Sequence, residues 1–438
     1  MNTSQTRRIV LFPLVTVVAF GVGAGCPPFT PPEEEEDTGF MNTTDKTNAN
    51  AKFISSVACR QCHTDISNWQ LIHGHAHKLT RVQGGPPSFP EQGTRAGVPN
   101  PPQGFEWSDI SYVVGGYTKK GRFIDHDGYV LVDGVAGVKT QWNLDYPANG
   151  TTAGFASYEP ERTAPKAYDY SCFVCHTTGP LPQDEDFPEF QENRRGFVGT
   201  WVEAGIQCEA CHGPGSAHFS TQGSEVVIDR SRIFVDPTSG QTCQQCHSRP
   251  FNDQTGVILA KGGFIQHHEQ WPELRASGGH ASFACTVCHD PHRSVTYDRA
   301  NAIRNECTAC HADMTMAGHG GETFVRGDYQ EALRCESCHM PLVTKSATST
   351  TIAFADGDQV GTGRIGDTRT HIFRISTDAI DYTQFFTADG GQVRRDEQGR
   401  AAVTVDFVCL RCHNAQGNVF GLSVKRAAEI AGRIHELP

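Results

Sequence analysis

The first fifty residues divide into blocks of distinct polarity. Residues 9–20 are almost wholly apolar and follow Arg7 and Arg8. Small residues 21–25 then lead to Cys26, and a Pro- and Glu-rich stretch, acidic over 33–37, runs on to about residue 50. The apolar block is too short to span a membrane, so this order predicts an export signal over 1–25 and a flexible tether over 26–50. From residue 51 the apolar runs are short and separated by Gly and Pro loops. Tyr112, Val113 and Val114, then Arg122, Phe123 and Ile124, then residues 129–132 are β-rich and are broken by Asp127-Gly128 and Asp133-Gly134. They predict β-hairpins in a small excursion over about 105–145. A second insertion over about 340–408 repeats the mix, with β-rich runs at 350–354 and 371–375. The chain ends in a predicted amphipathic helix with Val424, Ala428, Ala431 and His435 on one face.

Composition changes this picture. The 438 residues include 17 Cys and 20 His but are only 37% hydrophobic, a thin core for the length. Sixteen cysteines fall in eight copies of C-x-x-C-H. These are Cys59, Cys62 and His63; Cys172, Cys175 and His176; Cys208, Cys211 and His212; and Cys243, Cys246 and His247. The other four are Cys285, Cys288 and His289; Cys307, Cys310 and His311; Cys335, Cys338 and His339; and Cys409, Cys412 and His413. This is the attachment signature of c-type haem. Cysteines at i and i+3 share one face of a helical turn, where both sulfurs reach the haem vinyl groups, and the next histidine becomes the proximal iron ligand. Zinc knuckles and disulfides also use paired cysteines but do not require that histidine. Eight by chance, at this His content, is on the order of one in tens of billions. The expected cofactor is therefore eight covalently attached haem c.

Six motifs crowd between residues 172 and 339, too close for separate polypeptide cores. The haems themselves are expected to supply the interior of one domain over 51–438. The expected fold is mainly α with many loops and small β-hairpin excursions, a short helix forming at each motif. Cys26 lies outside the motifs and follows small residues as in a bacterial lipoprotein signal, although Gly23 stands where an aliphatic residue is usual. Lipidation of Cys26 gives a membrane anchor and a periplasmic or outer-membrane, cell-surface lipoprotein; ordinary cleavage leaves an exported protein with a free thiol. Removing residues 1–25 takes away Arg7 and Arg8 and moves the formal charge from −12 to −14. That excludes nucleic acid as an expected partner and suits redox partner proteins.

Each iron needs a second ligand or an open position. The five methionines, Met1 among them, are too few for Met ligation throughout, so bis-histidine ligation is expected from the twelve histidines outside the motifs. His218 follows Cys211 closely, His292 follows Cys285, His319 follows Cys307, and His280 precedes Cys285. Several stretches carry a resemblance to the multihaem cytochromes c of the hydroxylamine oxidoreductase type. They are Gly74, His75, Ala76 and His77 after Trp69; residues 112–116 with 122–128; 208–218; 267–270; 285–292; and His371, Ile372, Phe373 and Arg374. The resemblance covers most of residues 55–415. It implies that His75, His218, His280, His292, His319 and His371 ligate haems bound elsewhere in the chain, with His267 or His268 next. His435 is preferred over His126 for the eighth.

That family holds both carriers and enzymes. All eight motifs end in histidine, and nothing in the sequence singles out a catalytic tyrosine among Tyr168, Tyr170, Tyr297 and Tyr382. The expected function is electron carriage through closely packed, mostly bis-histidine haems outside the cytoplasm. The alternatives are a multihaem oxidoreductase of the hydroxylamine oxidoreductase, nitrite or tetrathionate reductase type with one five-coordinate haem, and a homo-oligomeric haem-wire filament. Asp184 to Asp186 and Asp356 to Asp358 are read as acidic loops rather than calcium sites.

Overall fold

A computed structural model describes residues 51–222, 225–235, 240–249, 256–316 and 318–436. Cys26, the signal and the tether lie outside them. The largest sheet starts from the strand Ile110–Gly115, which pairs with Leu79–Arg81 on one side and Lys120–Asp125 on the other. It continues through Tyr129–Val130 to Lys166–Asp169, which runs parallel to Phe197–Val198, while Gln141–Asn143 and Gly154–Ala156 branch from Lys120–Asp125. Alternation of side chains along these strands buries both faces. Tyr112 and Ile124 join Leu79, Val130, Tyr168, Phe173, Phe197 and Trp201 on one face, and Val113 and Phe123 join Val98, Ile110 and Leu131 on the other. The first face seats the helix Tyr170–His176, whose Phe173 lies 4.9 Å from Trp201 and 5.3 Å from Tyr168, ring to ring.

A second core gathers Ile258, Phe264, Ile265, Phe385, Phe386, Val403 and Phe407 beneath the helix Val405–Val408, which leads into the last motif. Around it lie the hairpin Thr350–Asp356 with Gln359–Ile365 and the hairpin Thr323–Arg326 with Tyr329–Ala332. A three-stranded sheet adds Ala260–Lys261, Phe264–Gln266 and Thr344–Lys345.

The expectation of a mainly α fold is wrong: 23% of the protein is helical and 23% is strand, spread over many small sheets. Among the described residues the longest helix, Thr64–Ile72, has 9 residues, and each motif needs only one helical turn. Among the described residues no helix is long and apolar enough to cross a membrane. Three local expectations also change. Asp127-Gly128 makes the turn into Tyr129–Val130, with Gly128 at φ 90°, but Asp133-Gly134 opens the short helix Asp133–Ala136. Gly134 is needed there because a Cβ would lie 2.1 Å from the Arg162 carbonyl oxygen. Residues 371–375 form no strand and make one bridge, Ile375 to Val403. The final helix is Val424–Ala431, so His435 stands beyond it.

Candidate haem-binding sites

Each motif closes as a helical turn. The amides of His63, His247, His289, His311 and His413 donate to the carbonyl of the first cysteine of their motif at 2.9 Å. The other three motifs lie within the helices Tyr170–His176, Cys208–His212 and Cys335–His339. This turn places both cysteines and the histidine on one side, the arrangement covalent haem requires.

The histidine rings then meet in pairs from distant parts of the chain. Ring centroids are 6.4 Å apart for His63 and His218, 6.0 Å for His212 and His292, and 6.0 Å for His247 and His75. They are 6.1 Å apart for His289 and His371, 5.8 Å for His311 and His280, 5.8 Å for His339 and His435, and 6.1 Å for His413 and His319. Two imidazoles that share one metal at about 2 Å from each nitrogen have centroids about 6 Å apart. Six rings are also fixed through Nδ1. His212, His218, His339, His413 and His435 donate to the carbonyls of Phe234, Asp229, Phe373, Phe420 and Thr315, and His247 reaches Gln270 Oε1, all within 2.7–3.0 Å. That selects the tautomer whose Nε2 is a free electron pair, the form that ligates iron. Burial pushes the His289 pKa down to about 4 and holds His75 well below its usual value. Among the described residues no three His, Cys, Asp or Glu side chains gather to hold a metal ion by themselves, so the arrangement suits haem and not a zinc cage.

His176 is different. Among the described residues no histidine ring faces it at this range; its ring neighbour is Tyr168, at 6.3 Å. Burial first, then Lys78, Arg122, Lys120 and Arg249, push its pKa down to about 3. The same four cations bear on His267, after burial, and hold it well below its usual value. Lys120 and Arg122 lie two apart on one strand and so point the same way. Burial, then Arg122, pushes Lys120 down to about 7, and its ammonium donates to the Ser346 carbonyl. Arg122 stacks on Tyr158 at 3.6 Å and donates to Gln141 Oε1. Lys78 is lowered by burial, with the Cys175 and Cys246 thiols acting against the shift. Once those sulfurs are thioethers they carry no charge for it.

The two remaining expected ligands are neighbours, with ring centroids 4.4 Å apart. His267 faces no motif histidine, and its Nε2 sits 3.1 Å from Arg249 Nη2 as the acceptor. His268 lies 6.3 Å from His247, competing with His75, from a backbone at φ 73°. His126, set aside from the sequence, donates from Nε2 to the Ser108 carbonyl at 2.9 Å and is exposed. Asp184 is engaged by the amides of Asp186 and Phe187, as an acidic turn would be. Lys78, Lys120, Arg249 and the buried Glu273 went unread in the sequence. Only the alternation of Lys120 and Arg122 could have pointed to them.

Neighbouring motifs touch through their cysteines. Thiol pairs within hydrogen-bonding reach are Cys59 with Cys208, Cys175 with Cys246, Cys243 with Cys285, and Cys307 with Cys335. Cys338 and Cys409 also act on each other. The motif at Cys285 therefore joins a group containing Cys175, Cys243 and Cys246 to the group built from Cys307 onward, whose His311 faces His280 just upstream of Cys285.

The family described as cytochrome c554 and c-prime matches residues 149–213, which hold the motifs at Cys172 and Cys208. The dissimilatory sulfite reductase MccA of Wolinella succinogenes is 23% identical over 62% of this chain and 43% of its own length. The multiheme cytochrome MtrA of Shewanella baltica is 25% identical over 34% of this chain and 54% of its own. The chain thus spans about half the length of these relatives. The solved structure of the Wolinella octaheme sulfite reductase MccA superposes with a TM-score of 0.55 at 19% identity, covering 90% of this chain and 73% of the other. That likeness is one of fold.

Proposed function

Starting from the chain's place among the multihaem cytochromes c, which carry covalently bound haem c and exchange electrons with redox partners, we propose an octahaem cytochrome in which seven haems conduct and the eighth reacts. His63, His176, His212, His247, His289, His311, His339 and His413 are the proximal ligands. His218, His75, His292, His371, His280, His435 and His319 cap seven of the irons. All seven pairs are drawn from one chain.

One observation carries the reading: His176 faces four cations where the other seven motif histidines face a second ring. Cys172, Cys175 and His176 would hold the haem, which would supply electrons to a substrate there. Lys78, Lys120, Arg122 and Arg249 attract and orient a small oxyanion in a site where burial strengthens each charge. Lys120, at about 7, holds its proton at Nζ loosely enough to pass it to a bound oxygen near neutral pH. Lysine and arginine serve different parts of this task, a mobile point charge and a fixed fork. The likeness to a sulfite reductase makes sulfite the first substrate to try. This departs from the expectation of a pure carrier in one respect, the uncapped haem, and keeps electron transfer as the function of the rest.

The second reading is the pure carrier, with His267 or Lys78 closing the eighth iron, since both stand in the same cation cluster. Electron paramagnetic resonance of the oxidised protein separates the two. One high-spin signal in eight, altered by sulfite, with reduction of sulfite by a dye-reduced protein, is expected. Eight low-spin signals indifferent to sulfite and nitrite would sink the reductase. Export follows from the chemistry, because haem is joined to such motifs outside the cytoplasm, and the lipid on Cys26 belongs to the same proposal. Growth with labelled palmitate tests it: label retained in the wild type and lost in Cys26→Ser.

A further inference from the structure

Six of the rings above lean their Nδ1 on a neutral oxygen. His371 does not. Its Nδ1 is buried without a hydrogen bond and lies 3.7 Å from Oε2 of Glu273, a residue with 0% of its surface exposed. The same carboxylate accepts the His371 amide at 2.6 Å and the Thr344 hydroxyl at 3.2 Å. Glu273 comes from the helix Gln270–Arg275 and His371 from the loop after the hairpin that ends at Ile365, so the contact is tertiary and fixed at both ends. The other carboxylate near a ring, Asp290 at 3.5 Å from His292 Nδ1, is partly exposed and is shared with Arg304. Water and the arginine weaken its field.

We propose that Glu273 is a positioning and tuning residue for the haem on Cys285 and Cys288, and that it makes this haem the lowest-potential step of the chain. A buried negative charge behind an axial histidine raises the basicity of that ligand and favours ferric over ferrous iron. The position gives this consequence. The Cys285 motif joins the group that contains the His176 site to the group from Cys307 onward. Electrons arriving from the second group must cross it to reach the cations around His176. A low-potential junction is an uphill step for an electron from either side, so it slows the return of electrons from the reactive haem.

The inference rests on the haem assignment above, and the experiment keeps the two apart. Glu273→Gln removes the charge and keeps one acceptor oxygen for the His371 amide, while its amide nitrogen faces the Thr344 hydroxyl, which can turn to accept from it. Potentiometric titration followed by electron paramagnetic resonance should show one low-spin haem moving to higher potential, the other midpoints staying in place apart from small shifts at its neighbours. Thr344→Val, which keeps the charge and removes one hydrogen bond, should leave that midpoint where it was. A Gln variant with all its haems and no midpoint moved overturns the tuning role while leaving the haem assignment intact. Should the Gln variant fail to accumulate, the unmodified protein decides. The signal that reduces last must be the one that turns high-spin in His371→Ala, and if another signal is last the inference fails. Loss of no low-spin signal in His371→Ala instead refutes the ligand assignment itself.

Discussion

The motifs at Cys172 and Cys409 have the same five-residue grammar and similar aromatic cores beneath them, yet they treat charge in opposite ways. Between Cys409 and Cys412 the side chain of Arg411 is 3% exposed, and it makes two hydrogen bonds to the Glu331 carboxylate at 2.8 and 3.0 Å and a third to the Ser337 carbonyl. Arg369 and the Ser337 hydroxyl complete the carboxylate, which is held far below the usual range after burial is overcome by the two arginines. Both arginines are ion-paired directly to the one carboxylate here. Around His176, among the described residues, none of the four cations makes an ion pair: Asp367 acts on Lys120 and Glu159 on Arg122 without one. A buried cation that is ion-paired is a fastener, and a cluster left without ion pairs is a receptor for an anion.

The largest effect should come from breaking the paired side. Arg411→Met leaves Glu331 buried with half its partners gone and is expected to cost about 3–5 kcal/mol. Denaturant unfolding followed by far-ultraviolet circular dichroism measures it. Pairing it with Glu331→Leu should return much of the loss, because the unpaired charge is then absent too. A single variant costing under about 1 kcal/mol would mean that the network is loose and the contrast false.

Next comes the open side. Lys120→Met and Arg249→Met should each lower kcat/KM for sulfite by about 10²–10³. Unfolding stability should hold or rise, since a buried cation without a full partner is removed. Stability falling as far as in Arg411→Met would show these cations to be structural after all.

What was legible in the sequence follows the same divide. Covalent attachment depends on residues within a span of five, so the motifs and their one-turn helices could be read directly. The distal histidines needed long-range contacts. His218, His292, His280 and His319 lie near motifs and were marked by position, while His371 came only through resemblance and His435 through its place by the last helix. His267 lies with Arg249 on its Nε2, a long-range neighbour that no local pattern reports. The strand content was hidden for a related reason. Runs such as Phe264–Gln266 and Thr344–Lys345 are two or three residues long and are strands only because they pair across about eighty residues. The cation cluster draws Lys78, Lys120, Arg122 and Arg249 from three segments, and no local pattern reports such a meeting.

A smaller effect tests pH. Asp406, in the helix leading to the Cys409 motif, is 2% exposed, and burial pushes its carboxyl up to about 6, with Asp381 adding and Arg364 opposing. The native state therefore prefers the protonated acid. Its full stability is present below about pH 4, declines as pH rises through 6, and above that carries a cost of at most about 3 kcal/mol. Asp406→Asn should be more stable than the wild type at pH 8 and equal to it at pH 4. The reverse order would mean that Arg364 holds an ionised Asp406, making even this carboxylate part of the paired network.

The smallest expected change is also the most exacting for the comparison. Tyr168 is fully buried between the sheet and His176, and its hydroxyl has no hydrogen-bond partner. Burial raises its pKa well above the ordinary phenol value, so it remains a neutral donor at any working pH. A hydroxyl that bonds to nothing in the protein contributes nothing to folding by being there, and Tyr168→Phe should change stability by less than about 1 kcal/mol in either direction. A loss above about 2 kcal/mol would show the hydroxyl to be satisfied in the folded, haem-loaded protein. The polar atoms on this side of the His176 turn would then be as fully paired as those around Arg411, and the open charge would be confined to the four cations themselves.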